Sequence, residues 1–384
     1  MKSLIKSAMW RKALPICFVV LLVLIKPGYC FVKDSVAINH IYKAGEGGYA
    51  CFRIPALITT TNDALLAFAE ARKADCGDSG DIDLVVKRSD NGGKTWGAMQ
   101  LVWSDSTNTC GNPVPIVDRT NGHIVLISTW NLGTDHEKDI IAGTSKDGRR
   151  VYVLQSDNQG KSWSKPREIT SSVKMTNWTW YATGPCHGLQ IENGQHKGRL
   201  VVPVNHIEAP SNKNFSHTIY SDDHGATWKL GSNTPQDMMN ETTLAEISGS
   251  RLMLNMRNAN RSIRTRNTST STDGGQTWSN VRNDSVLVEP ICQGSLLNFN
   301  IRKKPVLLFI NPANKAKRMN LTLRMSYDDG QTWPVSEIIY PGPSAYSDIS
   351  IYKNKNVAVL YECGVAKPYE GIAFKVVSKF LNKP

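Results

Sequence analysis

The chain has 384 residues, 40% of them hydrophobic, and a net charge of +12. That length supports a sizeable buried core without help from disulfides or metals. The charge is spread along the chain, with no basic stripe interleaved with aromatics, which argues against nucleic-acid binding and favours approach to anionic substrates or surfaces.

The first elements read as a targeting segment. Lys2, Lys6, Arg11 and Lys12 precede an apolar run, Ala13 to Ile25, which ends at Lys26-Pro27-Gly28. This is the layout of a secretory signal peptide, expected over residues 1–30, with a retained signal anchor as the competing reading. The run is short for a membrane span, so no stable span is expected once it is removed. Loss of its five basic residues would leave +7. The expected localisation is the secretory pathway, with an extracellular, lysosomal or periplasmic destination. Residues 31–384 hold no linker rich in Pro, Gly or Ser and read as one domain, expected to act as a monomer.

The next stretch, Cys51 to Asp83, carries two strand-like apolar runs, each with a fixed cation near one end. Arg53 sits in Phe-Arg-Ile-Pro, and Arg72 closes the second run just after Glu70. Asp78, Asp81 and Asp83 follow. Cations at strand ends beside a cluster of carboxylates can grip an anion and act on a neighbouring bond. Beyond Cys17 and Cys30, six cysteines remain: Cys51, Cys76, Cys110, Cys186, Cys292 and Cys363. None form a C-x-x-C pair or a Cys/His metal spacing. Six cysteines allow about 15 pairings, so bridges and free buried thiols both stay open. Seven N-x-S/T sequons occur, at Asn177, Asn214, Asn240, Asn260, Asn267, Asn283 and Asn320.

A repeat runs through the rest of the chain. Ser89-Asp-Asn-Gly-Gly-Lys-Thr-Trp96 returns at Ser156–Trp163, Ser221–Trp228, Ser271–Trp278 and Ser326–Trp333. The pattern S-x-[DN]-x-G-x-[TS]-W describes a tight turn between strands. Asp or Asn bonds its own backbone, Gly takes the positive φ, and Trp packs beneath. Strand-like runs precede the boxes at 82–86, 151–154, 218–220 and 321–325, and others lie between them at 124–128, 200–204, 251–256 and 305–310. Short strands at this period suggest propeller blades. The last run, 371–378, is expected to join the first, 36–42, in one blade, closing the ring without a free edge.

Several chemistries are absent: there is no H-E-x-x-H, no G-x-S-x-G and no phosphate-binding loop. His187 lies in a suggestive Gly-Pro-Cys-His-Gly loop but reads as structural.

FRIP near the start together with five such boxes resembles the exo-α-sialidase (neuraminidase) family of retaining glycoside hydrolases, over nearly all of residues 35–380. The resemblance implies an all-β, six-bladed β-propeller with its site at the central mouth, acting on sialylated glycans without metal or cofactor. Three arginines would hold the substrate carboxylate, matched here by Arg53, Arg257 and Arg324. Arginine suits because its planar fork meets a carboxylate bidentately. Arg251, Arg261, Arg264, Arg266 and Arg318 read as surface charges. Glu362 matches the glutamate that orients the first arginine, and Arg72 a further pocket arginine. Asp78 matches the acid catalyst, with Asp81 and Asp83 as rivals. Tyr346 matches the nucleophile and Glu241 its base, with Glu246 as the alternative. A phenol suits an anomeric carbon that already bears a carboxylate, because an attacking carboxylate would be repelled. Asn112, Trp130, Asp135 and Tyr181 are the expected remainder of the pocket, and Trp178 and Trp180 are candidates to stack on the aglycone. The Asn240 sequon lies beside Glu241 and is expected to stay unmodified. The resemblance implies release of terminal α-linked sialic acid. Transfer, to another sugar or within the sialic acid, is an alternative from the same site, and a sialic-acid lectin is the alternative from another class.

Overall fold

The computed structural model describes residues 38–301, 304–353, 356–378 and 380–382. The expected signal segment, residues 1–30, lies outside them. Among the described residues no helix is long and apolar enough to cross a membrane.

The chain folds into six four-stranded antiparallel units around a common centre. The first comprises Cys51–Thr59, Leu65–Arg72, Ile82–Ser89 and Gln100–Trp103; the second Thr109–Val117, Ile124–Asn131, Arg150–Ser156 and Arg167–Glu168. The third comprises Trp178–Thr183, Leu200–Glu208, Lys213–Ser221 and Lys229–Leu230; the fourth Met239–Ile247, Arg251–Asn258, Thr265–Ser271 and Arg282–Val288. The long strand Val335–Tyr352 serves two blades. Its first half completes the fifth with Ser295–Ile301, Lys304–Pro312 and Met319–Ser326. Its second half opens the sixth with Asn356–Cys363 and Gly371–Val377. The outer strand of the sixth blade is His40–Lys43, paired antiparallel to Gly371–Val377. The ring is therefore closed by its N-terminal strand, as the sequence suggested.

The strands read as continuous apolar runs because both faces are buried. In Leu65–Arg72, Leu65, Ala67, Ala69 and Ala71 pack toward the sixth blade. Leu66 and Phe68 pack toward the second. Each remaining blade boundary holds its own apolar cluster. The ring's centre is pinned by Asp348, fully buried on the inner strand of the sixth blade. Its carboxylate accepts the backbone N–H of Leu57, His187 and Ile349, the Ser295 hydroxyl and the His187 Nδ1. His187 is thus a structural residue.

The repeated box links the third and fourth strands. In the first, Ser89 Oγ donates to Asn91 Oδ1 and accepts from Gly93 N, while Asn91 Oδ1 accepts from Thr95 N. The other four repeat this pattern. Gly93 has φ +81°, and a Cβ there would lie 1.9 Å from the Phe374 ring of the preceding blade. Glycine is thus required twice over. Six blades carry only five boxes because the fourth strand of the sixth blade comes from the N-terminus, so no third-to-fourth turn exists there.

Strand direction then separates site from scaffold. Inner strands start at one mouth of the ring, second strands return to it, and the second-to-third loops lie on it. The boxes fall on the opposite face.

Candidate active site

The mouth holds a cleft of about 320 Å³, lined by Arg53, Asn112, Glu241, Arg257, Arg318 and Tyr346 among others. Five inner strands shift register near this mouth: between Arg53 and Ala56, Gly111 and Val114, Trp178 and Tyr181, Met239 and Thr242, and Ser344 and Ser347. Bulges re-aim side chains. Arg53, Asn112, Trp180, Glu241 and Tyr346 all lie at or within these irregularities. In two of them an X-Pro step does the work. Ile54 and Asn112 take left-handed φ of +56° and +53° before Pro55 and Pro113. For a β-branched Ile that conformation costs about 1–3 kcal/mol. The Ile54 N–H is held by Glu362 Oε1 at 2.9 Å.

Glu362, fully buried, organises this side. It accepts Arg53 Nε at 3.0 Å and Nη2 at 3.3 Å, and the Tyr346 N–H at 3.1 Å. Burial works against the Arg53 charge, but Glu362 and the surrounding groups outweigh it and raise its pKa. Across the cleft, Tyr346 donates its phenolic proton to Glu241. Arg257 Nη1 donates to Glu241 Oε2 and, at 3.2 Å, to the Tyr346 oxygen. Burial and the Glu241 charge push the Tyr346 hydroxyl up, against the pull of Arg257 and Arg318. It is therefore a neutral phenol with an adjacent base.

Asp78 stands opposite, its side chain 63% exposed, on the loop after Arg72. Arg72 Nη1 contacts it at 2.7 Å and Arg53 Nη1 at 3.5 Å. Partial burial raises its carboxyl, but Arg72 and Arg53 outweigh this and hold it below the usual range. A Cys51–Cys76 disulfide ties this loop to the strand bearing Arg53. Cys110, Cys186, Cys292 and Cys363 are free and buried. Glu70 accepts both Arg72 Nε and the Asn112 N–H, joining the first two blades at the cleft. Asp83 instead accepts from Tyr49. Neither Asp83 nor Asp81 lines the cleft. Glu246 accepts N–H groups of Glu192 and Asn193, away from it.

Four expected pocket positions are corrected, and Arg266, read as a surface charge, is fully buried and paired with Glu289. Arg324 does not reach the cleft; it bonds Asn311 Oδ1 on the neighbouring strand. Its strand runs from the mouth toward the far face, so six residues place it about 20 Å below Arg318. Arg318 lines the cleft instead, donating to Tyr369 Oη at 2.6 Å and to the Ile291 carbonyl at 2.9 Å. Trp130 packs between the first two blades, its Nε1 on Asp105. Asp135 holds the N–H groups of Lys146 and Asp147. Tyr181 points into the core with its hydroxyl on the Val173 carbonyl, while its neighbours Trp180 and Ala182 line the cleft. This is a parity error, since one residue along a strand reverses the facing.

Further lining residues were not assigned to the pocket from the sequence. Arg149 is buried, donates to Asn112 and Asn131, and lies 4.2 Å from the Trp180 ring centre. Burial lowers its pKa to about 10. Glu137, whose carboxyl is raised by burial, and Arg261 also line the cleft. Asn240 lines it too, its side-chain oxygen on the Glu241 N–H. No motif marks Arg149, Glu137 or Arg261.

A BNR repeat-like domain matches residues 63–359. An exo-alpha-sialidase of Aspergillus fumigatus is 32% identical over 73% of this chain and 69% of its own length. The chain belongs to the sialidase family. A sialidase of Micromonospora viridifaciens is 32% identical over 88% of this chain, which spans only 53% of that protein's length. Among solved structures, a Hadza microbial sialidase superposes with a TM-score of 0.80 at 30% identity, covering 88% of this chain and 68% of that one. The match to that sialidase structure thus extends over most of the chain.

Proposed function

We propose that this member of the sialidase family is an exo-α-sialidase, releasing terminal α-linked sialic acid from glycoproteins, glycolipids or oligosaccharides with retention at the anomeric carbon. The observation that carries the reading is the Tyr346–Glu241 hydrogen bond in a cleft that also holds Arg53, Arg257, Arg318 and Asp78. The three arginines would take the substrate carboxylate, and Asn112, Arg149 and Trp180 the opposite flank of the sugar.

The Tyr346 oxygen attacks the anomeric carbon while Glu241 takes the phenolic proton. Protonated Asp78 gives its proton to the departing glycosidic oxygen. Water then attacks the tyrosyl intermediate. Asp78 takes a proton from that water, and Glu241 returns the phenolic proton to Tyr346. In the free protein Arg72 and Arg53 favour ionised Asp78. A bound carboxylate offsets the Arg53 charge and excludes water, so substrate itself prepares the acid. The secretory route read from residues 1–30 is part of this proposal. The Cys51–Cys76 bond supports it, because such bonds persist in oxidising compartments.

The test is fluorophore release from an α-sialoside between about pH 4 and 7, the range over which a tuned carboxyl can act as an acid, beside Tyr346→Phe and Asp78→Ala. Release by the unsubstituted chain with severe loss in both variants is expected. No release by the unsubstituted chain would overturn the reading.

A further inference from the structure

Tyr369 belongs to the loop between the second and third strands of the sixth blade, the same loop that follows Glu362. The loop is held in shape by Glu370, whose carboxylate accepts the backbone N–H groups of Val365, Ala366 and Lys367 at 2.8–2.9 Å. Tyr369 is thereby set over Arg53 and Arg318, two of the three arginines assigned above to the substrate carboxylate. Its ring centre lies 4.3 Å from the Arg53 guanidinium carbon. Its hydroxyl accepts Arg318 Nη1 at 2.6 Å.

Tyr346 makes the complementary pair of contacts. The same Arg53 carbon lies 5.0 Å from its ring centre, and that of Arg318 lies 5.4 Å from it. Arg53, Tyr346, Arg318 and Tyr369 thus form a closed circuit in which cations and phenol rings alternate. Glu362 fixes one corner through Arg53, and the Ile291 carbonyl another through Arg318. Arg318 has no carboxylate partner among the described residues. Apart from the ring of Tyr346, its guanidinium is oriented by two neutral oxygens, one of which is Tyr369 Oη. Neutral acceptors orient a guanidinium without neutralising it, so its charge stays available to an incoming anion.

We propose that Tyr369 is a positioning residue: it holds Arg53 by its ring and Arg318 by its hydroxyl, in the geometry that receives the substrate carboxylate. This rests on the sialidase reading. The carboxylate is gripped in both the bound substrate and the transition state. Loosening the grip therefore raises KM more than it lowers kcat.

The experiment uses the whole chain with Tyr369→Phe and Tyr369→Ala. Steady-state kinetics on the fluorogenic α-sialoside are paired with inhibition by 2-deoxy-2,3-didehydro-sialic acid, an unreactive glycal bearing the same carboxylate. Tyr369→Phe keeps the ring over Arg53 but frees Arg318. It should raise both KM and the inhibition constant about tenfold, the scale of one hydrogen bond to a charged group, with kcat within about threefold. Tyr369→Ala should add a further roughly threefold to tenfold from the lost cation–π contact. In an Arg318→Ala background, Tyr369→Phe should change KM by less than about twofold, because its partner is gone.

KM and the inhibition constant unchanged in Tyr369→Phe would overturn the proposal, as would a full tenfold effect without Arg318. If the unsubstituted chain is active while the Tyr369 variants keep their KM, the positioning role alone fails. An inactive unsubstituted chain would sink the sialidase reading and this inference together.

Discussion

The phenol of Tyr346 is hydrogen-bonded to the carboxylate of Glu241, and the two residues come from the inner strands of the sixth and fourth blades, 105 positions apart. Each sits in a register shift at the mouth end of its strand. Neither blade alone can build the pair. It exists because the ring closes.

That pairing makes Glu241→Gln informative. The amide keeps the shape and a hydrogen bond but cannot take the phenolic proton. We expect kcat to fall by about 10²–10⁴, the usual worth of general base catalysis, with KM within a few-fold. Stopped-flow and steady-state kinetics on an α-sialoside check this. Near-normal kcat would remove Glu241 from the base role.

The displacement of Arg324 by Arg318 has its own test. Arg318→Ala removes a cation facing the cleft and should raise KM by about 10- to 100-fold, the scale of a charged hydrogen-bonding group. Arg324→Ala should leave KM unchanged, because its guanidinium bonds Asn311 outside the cleft. Its effect should appear only in the thermal unfolding midpoint. A raised KM in Arg324→Ala alone would reverse the assignment.

Asp78 gives a pH prediction with a definite sign. In the free protein Arg72 and Arg53 hold its carboxyl low, so the acid form is lost early as pH rises. On the proposed mechanism a bound substrate carboxylate would offset the Arg53 charge and raise the Asp78 pKa. The alkaline limb of kcat, which reports the complex, should therefore lie at higher pH than that of kcat/KM, which reports the free protein. Coincident or reversed limbs would rule this out. For stability the sign is opposite. Because the folded value is depressed, the contribution of Asp78 is present above the ordinary carboxylate value. It disappears as pH falls through the lowered one.

The Cys51–Cys76 bond spans 25 positions and joins the loop of Asp78 to the strand of Arg53. Chain-entropy reasoning assigns such a bond about 3 kcal/mol. Cys51→Ser with Cys76→Ser should lower unfolding stability by that order in a denaturant titration. It should also lower kcat/KM roughly tenfold or more, since the acid loses its tether. Unaltered kcat/KM in a measurably less stable variant would confine the bond to a structural role.

The strands, the five box turns and the closing of the last strand on the first were legible in the amino-acid sequence. The strands and turns rest on local chemistry (apolar runs, turn residues at fixed offsets, glycine at a forced positive φ), and the closure on the cost of a free sheet edge. Arg53, Asp78, Glu241, Arg257, Tyr346 and Glu362 were also named, through the resemblance to the sialidase family, and the fold brings these six together. What tertiary structure alone decided was facing and depth. Tyr181 and Trp180 differ by one position, and a register shift, invisible in a linear pattern, turned Trp180 and not Tyr181 toward the cleft. Arg318 and Arg324 differ by six positions, and strand direction set one at the mouth and the other far below it. Arg149 and Tyr369 carry no motif at all. Arg149 takes its place from Asn112 of its own blade and Trp180 of the next, and Tyr369 from Arg53 and Arg318 of the first and fifth blades, which meet it only once the ring is complete.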